Sequence, residues 1–458
     1  MNDFKNKNVL VVGLGKSGIA AAKFAAERGA KVTVTDIRSE SELKKELKAL
    51  KGVKMITQFG NNGEELFETT DFVVASPGVP VDTPGIVRAI SRGIPVVNEM
   101  ELALCEISTP VIAVTGTNGK TTTTELIGHL LSSCGIKRCV AGNIGTPLVS
   151  IIDEANAADW LVLEVSSFQL ETMESLRPAV SVWLNATPDH LDRHESFESY
   201  VDLKAKLFTL LTNESWGVYN AADEIVSDAV LPSKATLVPF DATGTRKDGG
   251  WYESGDLWAD IGSRGRFRFD LRHVILEGRH NRENMLGAIL AVLIAGGSHD
   301  TIQGGLETFR GLPHRLEFVA EVSGVRFYDD SKATNVGATV RALDAFAEPV
   351  VLIAGGQDKG SDFTQLRSWI KEGVKRLVLI GQAADTIQNA IGAATETVHA
   401  KTLEEAVKTA WDSSDPGDVV LLSPACASFD MFSDYAARGD AFKDSVKTIT
   451  KRRRKRTR

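Results

Sequence analysis

The chain has 458 residues, 43% hydrophobic and 24% charged, which is ordinary globular usage, and at about 150 residues per domain the length suggests three domains. Four cysteines with no CxxC pair make neither a disulfide framework nor a zinc site. The net charge of −8 is uneven, because the last eight residues, KRRRKRTR, carry seven positive charges and leave −15 on the 450 before them; an acidic body excludes nucleic-acid binding over the whole surface.

Short Val/Ile/Leu runs alternate with longer amphipathic segments, the pattern of α/β domains with parallel sheets. Strands are expected at residues 8–12, 31–35, 72–75, 111–115, 160–165, 180–184, 350–354, 376–380 and 419–422. Each ends in small or polar residues, and in open α/β sheets ligands sit at the C-terminal strand ends. Boundaries are expected near 106–109 and 311–313. The segment 219–276, rich in turn residues, reads as short antiparallel strands at a sheet edge. The apolar stretch 285–297 is too short to cross a bilayer and suits a buried helix. The N-terminus runs into a Val-rich strand without a signal-peptide pattern, so a cytoplasmic setting is expected.

The first motif in chain order is Gly13-Leu-Gly15-Lys16-Ser17-Gly18, between a strand and a helix, with Asp36 at the end of the next strand. Glycines there let the backbone approach a diphosphate at the helix N-terminus. NAD and a UDP group both fit, as does a tight turn with no ligand. Ser76-Pro-Gly78 ends another strand. Next comes Thr115-Gly116-Thr117-Asn118-Gly119-Lys120-Thr121-Thr122, a shortened P-loop with Val114 where the longer pattern has its first glycine. Its amides and Lys120 suit a polyphosphate, and the Thr121 hydroxyl suits Mg²⁺.

Glu164 ends a hydrophobic strand and is the acid expected to reach that metal. His190 and His194 lie in the loop 185–194; without a third ligand they do not make a zinc site, and His190 is a candidate for a role near Mg²⁺ or substrate. In the third segment, 329–335 and 355–362 each place a lysine in a turn, Lys332 and Lys359. Ser428 follows the last strand as an apparent helix N-cap with Asp430 behind it, where free amides suit a carboxylate.

Taken together, TGTNGKTT (115–122), LEVSSFQLE (163–171), NATPDHLDRH (185–194) and DSKATN (330–335) occur in the order found in Mur ligases, and the chain resembles that family throughout except for the basic tail. AGGQDKGSDF (354–363) and LSPACASFDMFSDYAARGDAF (422–442) resemble the D-glutamate-adding members. The resemblance implies a Rossmann-like N-terminal domain (1–106), a central P-loop ATPase-like domain with a mostly parallel sheet (107–311) and a C-terminal Rossmann-like α/β domain (312–458) with the tail 451–458.

It also implies an ATP-dependent ligase that adds D-glutamate to UDP-N-acetylmuramoyl-L-alanine through an acyl phosphate, for peptidoglycan precursors. Residues 13–18, among them Gly15, Lys16 and Ser17, with Asp36, Arg38, Ser76 and Gly78, would cradle the UDP group. Asn143, Ser166 and Gln169 would meet the sugar-peptide part. Gly116 to Thr122 would bind ATP, and Thr121, Glu164 and His190 would serve Mg²⁺. Tyr200-Val-Asp-Leu-Lys204-Ala-Lys-Leu-Phe208 matches a family segment except for Leu203 in place of alanine. By that match Lys204 would be carbamylated and could hold a second Mg²⁺.

Asn284 and the pair His314-Arg315 would hold adenosine, and Asp330 and Lys332 the ribose and phosphates. Thr334, Lys359, Ser428, Phe429 and Tyr435 would bind D-glutamate, although another aromatic is usual at Tyr435. Lys120, Lys204, His190 and Lys332 would carry the catalysis. A monomer without a nucleic-acid partner or membrane span is expected. A nicotinamide oxidoreductase resting on residues 13–36 leaves the P-loop unexplained. A P-loop switch protein with a nucleic-acid-binding tail would need no amino-acid acceptor.

Overall fold

A computed structural model describes residues 4–60, 63–189, 193–244, 246–276, 278–358, 360–391 and 393–454, without the side chains of 64, 263 and 451–454. The chain divides into two compact units. One comprises residues 1–274 and 282–309, the other 275–281 and 310–458.

The first unit carries two sheets. Strands β1 (Asn8–Val12), β2 (Lys31–Asp36), β3 (Met55–Phe59), β4 (Phe72–Ala75) and β5 (Val96–Val97) form a parallel sheet in the order β3-β2-β1-β4-β5. Strands buried on both faces read as continuous apolar runs: Val9 and Val11 enter one core, Leu10 and Val12 another. The strand order reverses between β1 and β4, where a ligand crevice is expected at the carboxyl ends.

The second sheet contains β6 (Val111–Thr115), β7 (Arg138–Gly142), β8 (Trp160–Glu164), β9 (Val180–Trp183), β10 (Trp216–Asn220), β11 (Thr236–Asp241), β12 (Gly249–Glu253), β13 (Asp256–Asp260) and β14 (Arg266–Asp270). Their order is β14-β13-β12-β11-β10-β9-β6-β8-β7. The edge from β12 to β14 is antiparallel, as the sequence suggested. The expectation fails for β10 and β11, which are parallel to each other and to β9. The helix Glu224–Ala229 between them supplies the crossover that parallel neighbours need. The apolar stretch after residue 285 lies in the helix Arg279–Ile294, and its residues 285–294 are all buried, with Val182 and Leu184 packed close against Gly287.

The second unit holds β15 (Glu317–Val322), β16 (Val325–Asp329), β17 (Val350–Gly355), β18 (Val374–Ile380), β19 (Glu396–His399) and β20 (Val419–Leu422), ordered β15-β16-β20-β17-β18-β19. Only the β15–β16 pairing is antiparallel. Side chains alternate across the sheet: Val350, Leu352 and Ala354 pack into one core, Val351 and Ile353 into the other. Both faces are therefore covered. Among the described residues no helix is long and apolar enough to cross a membrane.

Candidate functional site

The phosphate loop follows β6, flanked by β8 on one side and β9 on the other. Gly119 has φ +80°, and a Cβ there would fall 2.2 Å from Asn284 Oδ1; glycine alone satisfies both the left-handed backbone and the close approach. Lys120 opens the helix Lys120–Ser133 and donates from Nζ to the Gly116 carbonyl at 2.8 Å and the Thr117 carbonyl at 2.9 Å. The end of β9 braces the loop. Asn118 N donates to Asn185 Oδ1 at 2.8 Å, and Asn185 Nδ2 donates back to the Asn118 carbonyl at 3.1 Å. Thr117 Oγ1 shares a 3.0 Å hydrogen bond with Tyr200 Oη. Thr121 and Thr122 follow in the first helical turn, half-buried, and Thr123 Oγ1 donates to Asn284 Oδ1 at 3.2 Å.

Glu164 ends β8 in register with Val114 of β6. Its Oε1 accepts from Asn143 Nδ2 at 2.9 Å, while its Oε2 is buried without a hydrogen-bond partner. An orphaned buried carboxylate oxygen costs free energy unless a proton or cation occupies it. Beside a P-loop, it fits a hard divalent cation with oxygen ligands.

Lys204 lies one turn after Tyr200 on the helix Phe197–Thr209 and is 1% exposed. Its Nζ donates to the Gly116 carbonyl at 3.0 Å and sits 4.5 Å from the Tyr200 ring centroid. Burial, followed by the charge of Lys120, holds its pKa well below the ordinary lysine value, against the pull of Asp189 and Glu164. His190 lies outside the described residues.

At the carboxyl end of the first sheet, Ser76 Oγ donates to the Gly13 carbonyl at 2.7 Å and ties the turn after β4 to that after β1. Asp36 accepts from Leu14 N at 2.8 Å and from Arg38 Nε and Nη2 at 3.0 and 2.8 Å. Burial would raise its carboxyl, but these hydrogen bonds and the Arg38 charge outweigh it and lower it to about 2. Asp36 therefore shapes the glycine turn and anchors Arg38. A Cβ on Gly15 or Gly78 would meet nothing within 4 Å; with exposed Lys16 and half-buried Ser17 they leave this side of the turn open.

Asn143 and Ser166 flank Glu164. Asn143 N donates to the Glu164 carbonyl at 2.9 Å, and Ser166 and Gln169 cap the short helix Ser167–Leu170 reciprocally.

In the second unit, the turns after β16, β17 and β20 are held together. Gln357 and Ala427 exchange backbone hydrogen bonds at 2.9 and 3.1 Å. Asp330 accepts from Ser423 Oγ at 2.8 Å and Leu316 N at 3.2 Å, and burial pushes its carboxyl up to about 7 against those bonds. Lys332 Nζ donates to Tyr435 Oη at 3.3 Å. The Lys332 amide donates to the carbonyl of His314, the residue before Arg315, and the Thr334 amide to the Lys332 carbonyl. Ser428 is 2% and Phe429 63% exposed; Lys359 lies outside the described residues.

The expected N-cap at Ser428 is corrected. The amides of Met431 and Phe432 both donate to the Ser428 carbonyl in an isolated turn, and the helix starts only at Tyr435, where Asp434 Oδ1 accepts from Ala437 N. Sequence reasoning gave no role to Arg438, which is 1% exposed and donates to Ser331 Oγ and to the Ser331 and Cys426 carbonyls. Nor did it give one to Asn185 or Tyr200. Asparagine just past a strand end was a usable signal for the first; nothing local marked the others.

The Mur ligase middle domain matches residues 114–292, the Mur ligase glutamate ligase domain residues 314–426, and the MurD-like N-terminal domain residues 7–98. The chain is 42% identical over 452 residues to a UDP-N-acetylmuramoylalanine–D-glutamate ligase of Geotalea daltonii, covering 98% of each. It is 44% identical over 453 residues to the ligase of the same name from Koribacter versatilis, covering 99% of this chain and 100% of the relative. Among solved structures, UDP-N-acetylmuramate-alanine ligase MurC of Thermotoga maritima superposes with a TM-score of 0.60 at 20% identity, covering 97% of this chain and 100% of that one. MurF ligase of the same organism, in complex with ADP, gives 0.60 at 17%, covering 97% and 96%. These structures share the three-domain α/β fold.

Proposed function

The chain belongs to the Mur ligase family, and from that premise we infer that it joins D-glutamate to UDP-N-acetylmuramoyl-L-alanine with ATP, in peptidoglycan precursor synthesis. The observation that carries the reading is the end-to-end identity of 42–44% with ligases bearing that name. A P-loop beside an orphaned carboxylate oxygen supports it chemically.

An acceptor carboxylate oxygen attacks the γ-phosphorus of ATP and ADP leaves, giving an acyl phosphate. The D-glutamate amine attacks its carbonyl carbon and loses a proton, and the tetrahedral intermediate expels phosphate to leave the amide. Lys120 and the loop amides offset the polyphosphate charge, and the helix N-terminus behind them adds to that field. Thr121 and Glu164 would hold Mg²⁺, which neutralises charge on the transferred phosphoryl group.

Lys204, whose neutral form burial favours, is suited to take up CO₂ as a carbamate, and the resulting anion would hold a second Mg²⁺. The remaining assignments follow the motifs: residues 13–18, Asp36, Arg38, Ser76 and Gly78 for UDP; Asn143, Ser166 and Gln169 for the sugar-peptide; Asn284, Arg315, Asp330 and Lys332 for nucleotide; Thr334, Lys359, Ser428, Phe429 and Tyr435 for D-glutamate; His190 for metal or substrate. The domain assignment is 1–106, 107–311 and 312–458. The reading extends to a monomeric cytoplasmic enzyme acting on small molecules without nucleic acid.

The test is phosphate release with ATP, Mg²⁺ and UDP-N-acetylmuramoyl-L-alanine, with D-glutamate varied against L-glutamate, L-alanine and diaminopimelate. Release that depends on D-glutamate is expected. Release indifferent to it would overturn the reading.

A further inference from the structure

Arg193 stands in the loop after β9, and its side chain is only 14% exposed. Nη2 donates to Glu171 Oε2 at 2.7 Å and to the Val79 carbonyl at 3.2 Å. Nη1 lies 3.9 Å from Asp82 Oδ1, and the guanidinium carbon 5.5 Å from the Phe168 ring centroid. One planar group thus ties the loop that carries it to two other segments: the chain from Val79 to Asp82 after the first sheet's β4, and the turn 166–171 that follows Glu164 in the second.

The segment 166–175 is also held by the first unit's helix Glu99–Leu104 and its N-cap. Asn98 Nδ2 donates to the Gln169 carbonyl at 2.7 Å, and Glu101 accepts from the amides of Ser175 and Glu174 at 2.7 and 3.1 Å. Those anchors hold Gln169, Glu174 and Ser175. Arg193 in turn spans from the Glu171 carboxylate to a carbonyl one residue beyond Gly78. Glu171 is half-buried; burial raises its carboxyl and the Arg193 charge opposes that.

We propose that Arg193 is a positioning residue that sets the distance between the UDP-sugar turn at Ser76–Val79 and the strand end at Glu164, and so fixes where the acceptor's carboxylate arrives relative to the bound phosphates. The inference rests on the proposed ligase reaction and adds a residue to it. Reacting groups misplaced by about 1 Å lose on the order of a hundredfold in rate, so a strut between the two subsites acts through alignment without touching substrate.

The test measures phosphate release by full-length wild type, R193A and R193K with each of the three substrates varied in turn. R193A is expected to raise the acceptor KM by about tenfold or more and to lower kcat, with KM for ATP and for D-glutamate within about twofold of wild type. R193K keeps a charge for Glu171 but lacks the fork that also reaches Val79; it should show the same selective rise in smaller degree, and it carries the test if R193A does not fold. Millimolar guanidinium should partly restore R193A and leave wild type unchanged. An unchanged acceptor KM, or an equal rise in all three KM values, would overturn the inference while leaving the ligase reading intact. A wild type without D-glutamate-dependent release would overturn the ligase reading and the inference with it.

Discussion

Lys120 and Lys204 converge on one acceptor: both ammonium nitrogens donate to the Gly116 carbonyl, at 2.8 and 3.0 Å. Two cations cannot share a buried carbonyl cheaply, and burial together with the Lys120 charge favours the neutral form of the deeper one. Lys204 has a folded pKa below its unfolded value of 10.5, so the unfolded chain binds more protons in between, and this group's contribution to stability grows as pH rises through that window. Lys204→Met should abolish turnover yet leave the chain as stable as wild type, or more stable by up to about 4 kcal/mol near neutral pH. Thermal melts and phosphate release check it. A variant that is both active and less stable would remove Lys204 from the chemistry.

Glu164 makes a separate prediction through its orphaned Oε2. Glu164→Gln keeps the acceptor for Asn143 but replaces the metal-facing oxygen or turns it away. The Mg²⁺ concentration giving half-maximal phosphate release should rise by about 10–100-fold. An unchanged Mg²⁺ titration would show that the carboxylate does not serve the metal.

The glycine turn separates packing from binding. A Cβ on Gly18 would fall 1.9 Å from the Gly13 carbonyl oxygen, whereas one on Gly15, at φ −77°, meets nothing. Gly18→Ala should lower the melting temperature sharply, by about 2 kcal/mol or more of overpacking. Gly15→Ala should melt like wild type and bind the UDP substrate more weakly, as isothermal titration would show. Equal melting temperatures for the two variants would refute this.

Much of this was legible locally. The β1, β4, β6 and β20 bounds follow from apolar runs alone, Lys120 declares itself by its place in the glycine loop after β6, and Glu164 by sitting at a strand end. What escaped was made by distant partners. Asn98 and Gln169 are 71 residues apart, and Arg193 and Val79 114; in each pair a side chain meets a backbone carbonyl, which carries no residue signature. Ser428 misled for the opposite reason. Its surroundings satisfy a helix-start pattern, but residues 428–432 close as a single turn and the helix waits for Asp434.

Glu99 carries a pH signature. Burial lifts its carboxyl to about 7 from 4.5, against the amides of Val149 and Leu148. The folded state holds a proton there that the unfolded chain releases, so the contribution is fully present below pH 4.5 and fades as pH rises through 7. Glu99→Gln should flatten that decline by about 3 kcal/mol, read from urea unfolding at pH 4.5 and 8. A wild-type profile without this loss would show that Glu99 ionises freely.

The second unit takes residues 275–281 from the middle of the chain as well as everything after Phe309. Gly278 belongs there closely, since a Cβ on it would lie 3.2 Å from that of Ala345. A fragment cut at residue 312 would therefore leave residues 275–281 and 310–311, nine residues of the second unit, on the wrong side of the scissors. A separable glutamate-binding piece needs those residues supplied in trans or fused back by a linker, and a protease nick between the two visits would not release either part cleanly.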